Sequence, residues 1–162
     1  MELSPSSSAD ARKYYNKYCQ VSQDINELSI GGEDYLNTYK SGNITGYTNN
    51  TNYTDYVFDL NCNYSRFTAL AGVDDLVHTS FTPKMSKASG DSLKITIIAD
   101  GSVLDTKTLY YEEKAEEIDV NNLAGYSKLI LRVQRTLGKT GSVLTLHPAV
   151  YYDILGGKFY HK

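Results

Sequence analysis

The 162-residue chain has no tryptophan, three prolines, two cysteines and no excess of basic charge. Each scarcity excludes something. Cys19 and Cys62 are too few for the disulfide framework of a small secreted scaffold, and no Cys-x-x-Cys pair exists for zinc or thioredoxin-like chemistry. They leave open either one disulfide or two reduced thiols. His78, His147 and His161 share no metal-binding spacing. Sixteen basic against nineteen acidic side chains give a net charge of −3. Without a basic excess the chain cannot displace the counterions of a phosphate backbone, which excludes a generic nucleic-acid binder. No apolar run approaches the roughly 18 residues of a membrane span. The opening Met1-Glu2-Leu3-Ser4-Pro5 and Ser6-Ser7-Ser8 does not read as a secretory leader, which would need a charged start and an apolar stretch.

What is present is tyrosine, fifteen of them against four phenylalanines. A tyrosine combines a large apolar ring with a hydroxyl that wants a partner, so it suits strands and wet binding surfaces. At 41% apolar and 22% charged residues the chain is globular in composition, with length for one domain or a domain and an appendage. Residues 1–28 stand apart. Tyr15, Cys19 and Ile25 at roughly helical spacing predict a short helix over 9–28, although Tyr14, Tyr15 and Tyr18 also suit an edge strand. Gly31-Gly32 then breaks the chain. From residue 29 to 162, short runs of period two recur at hairpin distances. Tyr56 to Leu60, Phe67 to Val73, Leu93 to Ala99 and Leu129 to Gln134 alternate apolar with polar residues. Ile118 and Val120, Val143 to Leu146, and Val150 to Ile154 add more. Asp100-Gly101 is a hairpin signal, with a return strand over Val103 to Leu109. Strands of this length and spacing predict an all-β fold, an antiparallel sandwich or jelly roll.

Catalytic patterns fail when tested. Gly138-Lys139-Thr140 ends like a phosphate loop, but Val133 stands where its first glycine is required. Asp119-Val120-Asn121-Asn122 starts like a calcium loop and then places Leu123 and Ala124 at its fifth and sixth positions. No Gly-x-Ser-x-Gly elbow occurs, and the adjacent Asp74 and Asp75 point in different directions rather than flanking a cleft. An enzyme is not expected.

Binding is easier to compose. Ser41 to Tyr56 holds four asparagines and three tyrosines, with little to bury before Tyr56. Sugars are bound by aromatic faces against the apolar side of a pyranose and by amides forked onto neighbouring hydroxyls. Tyr47 and Tyr53 are the candidate platforms, with Asn49, Asn50 and Asn52 as the forks. An ordinary solvated loop has the same composition. Downstream, a strand runs through Ala71-Gly72-Val73 into Asp74-Asp75. Those acids, with Arg66, would form a ligand or cation rim; equally, Asp75 would cap a turn and Gly72 would admit close packing.

Asn63-Tyr64-Ser65-Arg66-Phe67-Thr68-Ala69 followed by Gly72-Val73-Asp74-Asp75 resembles a signature of the NPCBM family, which is similar to carbohydrate-binding module family 51. Four weaker stretches follow the same order: Leu28 to Tyr35, Ile97 to Gly101, Glu117 to Gly125, and Leu129 to Val133. The resemblance covers roughly Leu28 to Ile154. It implies a galactose-binding-like β-sandwich, non-catalytic, carried by larger secreted or cell-surface proteins and binding carbohydrate. It also implies that a structural calcium can sit near Asp74 or Asp75, while no ligand spacing demands a cofactor. Ala149 to Asp153 replaces the family's Asp-and-Trp stretch, and the ligand-side tryptophans are absent. The fold therefore transfers better than the sugar site. A structural or adhesive sandwich that contacts protein is the competing expectation, since tyrosine also favours protein interfaces.

Overall fold

A computed structural model of the chain describes residues 28–48, 51–77, 90–137 and 150–162. The helix expected over 9–28, apart from Leu28, and the strand expected over 143–146 lie outside the described residues, as do Cys19, Asn49 and Asn50. The described chain forms strands and turns, with no helix. In order these are β1 (Ser29–Ile30), β2 (Glu33–Asp34), β3 (Ile44–Thr48), β4 (Thr54–Asp59), β5 (Tyr64–Val77), β6 (Ser92–Ala99), β7 (Ser102–Leu109), β8 (Glu116–Val120), β9 (Lys128–Thr136) and β10 (Val150–His161). One sheet runs β2-β1-β5-β10-β3, with β8 also on β5; the other runs β4-β9-β6-β7. All pairings are antiparallel. The expected two-layer sandwich is the fold.

Period two gives each layer an apolar inward face. Leu93, Ile95, Ile97 and Ala99 of β6 and Leu129, Leu131 and Val133 of β9 point inward, onto Phe67, Ala69, Ala71 and Val73 of β5. Phe159 is the aromatic centre, with ring centroids 4.8 Å from Phe67, 5.5 Å from Tyr64 and 5.6 Å from Phe58. Burying such a ring stabilises by about 2–3 kcal/mol. Tyr152 and Ile154 share this inward face although their numbers have the other parity. A register shift between Leu155 and Lys158 absorbs the difference, at Gly156-Gly157. Gly156 has φ +60°, where glycine is favoured, and lies against the Tyr39 ring. Asp100 and Gly101 have φ of +44° and +84°, the mirror-image two-residue turn that the hairpin signal predicts.

The outer face of the larger sheet has its own small core: Leu28, Ile30 and Leu155, with Tyr35, Leu36 and Tyr39 beside them. Gly72 is needed there because a Cβ would collide with the Ile30 side chain. One expectation fails. Ser41 to Tyr56 is not one open loop, because Ile44–Thr48 is the edge strand β3 on β10, with Ile44 fully buried.

Candidate functional site

The chain leaves the larger sheet at Thr48 and enters the smaller one at Thr54, so the described residues 51–54 lie at a corner between the layers. Below it, the Tyr152 ring occupies space that a side chain at Gly46 would fill. The Tyr152 hydroxyl then reaches the Tyr56 hydroxyl at 2.7 Å, tying β10 to β4 across the interior. Tyr47 is half-buried, its ring 6.0 Å from that of Tyr151.

Tyr53 differs from its neighbours. It is 54% exposed, unusual for a large aromatic side chain, yet it is not loose. The Arg132 guanidinium lies 4.0 Å from its ring centroid, at stacking distance. Arg132 is itself held by Asp55, with Nε donating at 2.8 Å and Nη2 at 2.9 Å to the two carboxylate oxygens. Gln134 Nε2 donates to the Thr51 carbonyl at 3.0 Å. The result is a flat ring backed on one face and open to water on the other. Such a plate can take the apolar side of a sugar ring.

The acids near the end of β5 behave differently. Asp75 Oδ1 and Oδ2 accept from the Gly31 and Gly32 amides at 3.0 and 2.8 Å, closing the β1–β2 turn. Asp74 and Asp153 are 4% and 1% exposed and hydrogen-bond to each other. Burial, the Asp74 hydrogen bond and the charges of Asp74 and Asp75 together hold Asp153 well above the ordinary carboxylate range. Asp153 Oδ2 and, directly across the ladder, Thr45 Oγ1 are buried without hydrogen-bond partners among the described residues. No three His, Cys, Asp or Glu side chains among the described residues gather as a metal site. Both carboxylate oxygens of Asp75 are engaged by backbone amides, and Asp74 is paired with Asp153.

Of the sequence candidates, Asn52 and Tyr53 lie together just before β4, Tyr47 lies within β3 beside Tyr151, and Asn49 falls outside the described residues. Arg66 does not belong with Asp74. Eight residues along one extended strand separate them by about 26 Å. Arg66 instead forks onto Asp119 of β8 at 2.8 Å through both Nε and Nη2. Arg132, Asp55 and Gln134 went unnoticed as site residues. Strand alternation had placed Arg132 and Gln134 on the outward face of β9, but nothing local reveals that β4 lies beside them.

The fold and this corner can now be set beside known proteins. The NPCBM/NEW2 domain matches residues 2–144, and the chain belongs to that family. Comparison with curated proteins finds no match. Among solved structures, the tandem CBM51 modules of a family 98 glycoside hydrolase from Streptococcus pneumoniae match with a TM-score of 0.57 at 19% identity. That match covers 88% of this chain and 38% of the other. A CBM51 from Clostridium perfringens GH95, in complex with methyl-galactose, matches with a TM-score of 0.51 at 16% identity, covering 86% and 84%. The second CBM51 of Clostridium perfringens ZmpB, in complex with GlcNAc, matches at 0.54 and 15%, covering 87% and 26%. The chain thus has the sandwich of CBM51 modules and spans well under half of several of the longer chains that carry them. No described helix is long and apolar enough to cross a membrane.

Proposed function

We propose that this chain is a non-catalytic carbohydrate-binding module, working outside the cell or at its surface as one part of a larger protein. A neutral pyranose stacks on Tyr53 at the entry to β4, with the neighbouring Asn52 as the amide that forks onto its hydroxyls; Tyr47 and Asn49, the other sequence candidates, are the next positions to substitute. The observation that carries this reading is the exposed Tyr53 ring held on the Arg132–Asp55 fork. Arg66, Asp74 and Asp75 serve the fold in this reading rather than the ligand. Galactose-type and N-acetylglucosamine-type sugars are the first ligands to try, since related modules have been solved with them. A shallow rim site gives dissociation constants on the order of 10 μM to 1 mM, about −7 to −4 kcal/mol. Repeated or tethered modules supply the avidity. Calorimetry with methyl-galactose and N-acetylglucosamine, after a broad glycan array, is the test. Binding that Tyr53→Ala weakens at least tenfold supports the site, whereas silence across the array at millimolar sugar defeats the reading.

Adhesion through protein contact keeps one observation in its favour. On the outer face of the smaller sheet, Val57, Ile130, Ile98 and Val103 pair in turn across four strands, with Val57 50% and Val103 62% exposed. Light scattering that shows self-association lost on Val57→Lys would favour it.

A further inference from the structure

One strand reaches the corner from three positions. Arg132 and Gln134 project from the outward face of β9, two residues apart, while Arg135 projects from the inward face. Arg132 backs the Tyr53 ring and forks onto Asp55, its direct partner in the ladder and two residues beyond Tyr53. Gln134 pins the Thr51 carbonyl, two residues before Tyr53. Arg135, buried beside Asp91 at 3.6 Å, brings Nη1 to 3.5 Å from the Thr48 carbonyl. The corner is therefore fastened on both sides of its one exposed ring. An exposed tyrosine normally explores its rotamers, and ordering it on binding opposes affinity. Here the ring is backed by Arg132 and its chain is tied at Thr51 and Asp55.

We infer that β9 sets the pose of the Tyr53 plate, with Arg132 and Gln134 as positioning residues that raise affinity without touching the sugar. This rests on the proposed glycan reading, but the ring order does not. A guanidinium fork can engage Asp55 through two bonds while lying flat beneath the ring; an ammonium cannot, although it carries the same charge. Charge on the outward side is balanced by Asp55, so the plate suits a neutral ring rather than an acidic sugar.

Two measurements test the inference together. Relaxation of carbon-13-labelled tyrosine, recorded on the full chain without sugar, reads whether the Tyr53 ring is fixed. It is expected to be ordered in wild type and mobile in both Arg132→Met and Arg132→Lys, with Gln134→Ala intermediate. Calorimetry with methyl-galactose and N-acetylglucosamine as probes is expected to show affinity falling about tenfold in both Arg132 variants. The loss should appear in the entropy of binding, with melting temperature nearly unchanged. A mobile Tyr53 in wild type, or an Arg132→Lys variant that keeps the ring ordered and the affinity intact, overturns the inference. If neither probe binds wild type, the glycan reading passes to the array, and the relaxation result alone decides whether β9 orders the plate.

Discussion

The same trio of residues occurs twice, once on each sheet. Arg66 forks onto Asp119 and Arg132 onto Asp55, both through Nε and Nη2 at 2.8–2.9 Å, and each arginine lies beside a tyrosine ring. The partners differ. Tyr160 sits within β10, half-buried, with its hydroxyl 3.5 Å from Thr68 Oγ1 and Lys158 on its ring at 5.0 Å. Arg66 stands 5.1 Å from that ring. Tyr53 precedes its strand, and Arg132 approaches it to 4.0 Å. An identical fork thus finishes the surface of one sheet and mounts an exposed plate on the edge of the other. Position in the strand, more than residue type, separates a packing tyrosine from a presenting one.

The largest effect should come from removing each ring. Tyr160→Ala is expected to lower stability by about 1–2 kcal/mol through lost packing and to leave glycan affinity within twofold. Tyr53→Ala should do the reverse, with little change in melting temperature. Paired thermal melts and calorimetry read both, and equal losses of binding in the two variants would erase the distinction.

Intermediate effects should separate the exposed Arg66–Asp119 fork from the buried Asp74–Asp153 pair, because Asp119 is shifted down and Asp153 up. Asp153 is raised in the folded state, chiefly by burial, so its contribution is complete below about pH 4 and disappears as pH rises through the raised value. Scanning calorimetry from about pH 4 to 9 should show melting temperature declining in wild type, with the slope flattened in Asp153→Asn. An unaltered slope in the variant removes Asp153 as the source of the pH dependence. The smallest effect belongs to Asp119, which Arg66 holds below its ordinary value. That contribution is present above about pH 4 and fades as pH falls through the depressed value. Both partners are exposed, so Asp119→Asn should shift melting at neutral pH by on the order of 2 °C or less, and by less still at high salt.

Strand identity was legible wherever one face of a strand was buried. Leu93 to Ala99 and Leu129 to Gln134 alternate because inward positions must be apolar, and Asp100-Gly101 marks its turn by the φ values only such residues adopt readily. Edge strand β3 was not legible. Thr45 and Gly46 carry no hydrophobic signal, and they are buried because Asp153 and Tyr152, more than a hundred residues on, lie against them. The Tyr53 plate was half legible: an aromatic in an asparagine-rich stretch is visible in the chain, but the arginine beneath it is 79 residues away.

By itself, then, the sequence determined the class of fold, since alternation, turn chemistry and family motifs are all written over short distances. It also marked which tyrosines and acids were available. The tertiary structure decided their work. Asp75 became a turn cap, Asp153 a buried partner of Asp74, Arg66 a surface fork and Arg132 the backing of a ring, because each assignment depends on which strand lies alongside. Neighbours in a sheet are set by topology, and topology joins residues that no local pattern connects.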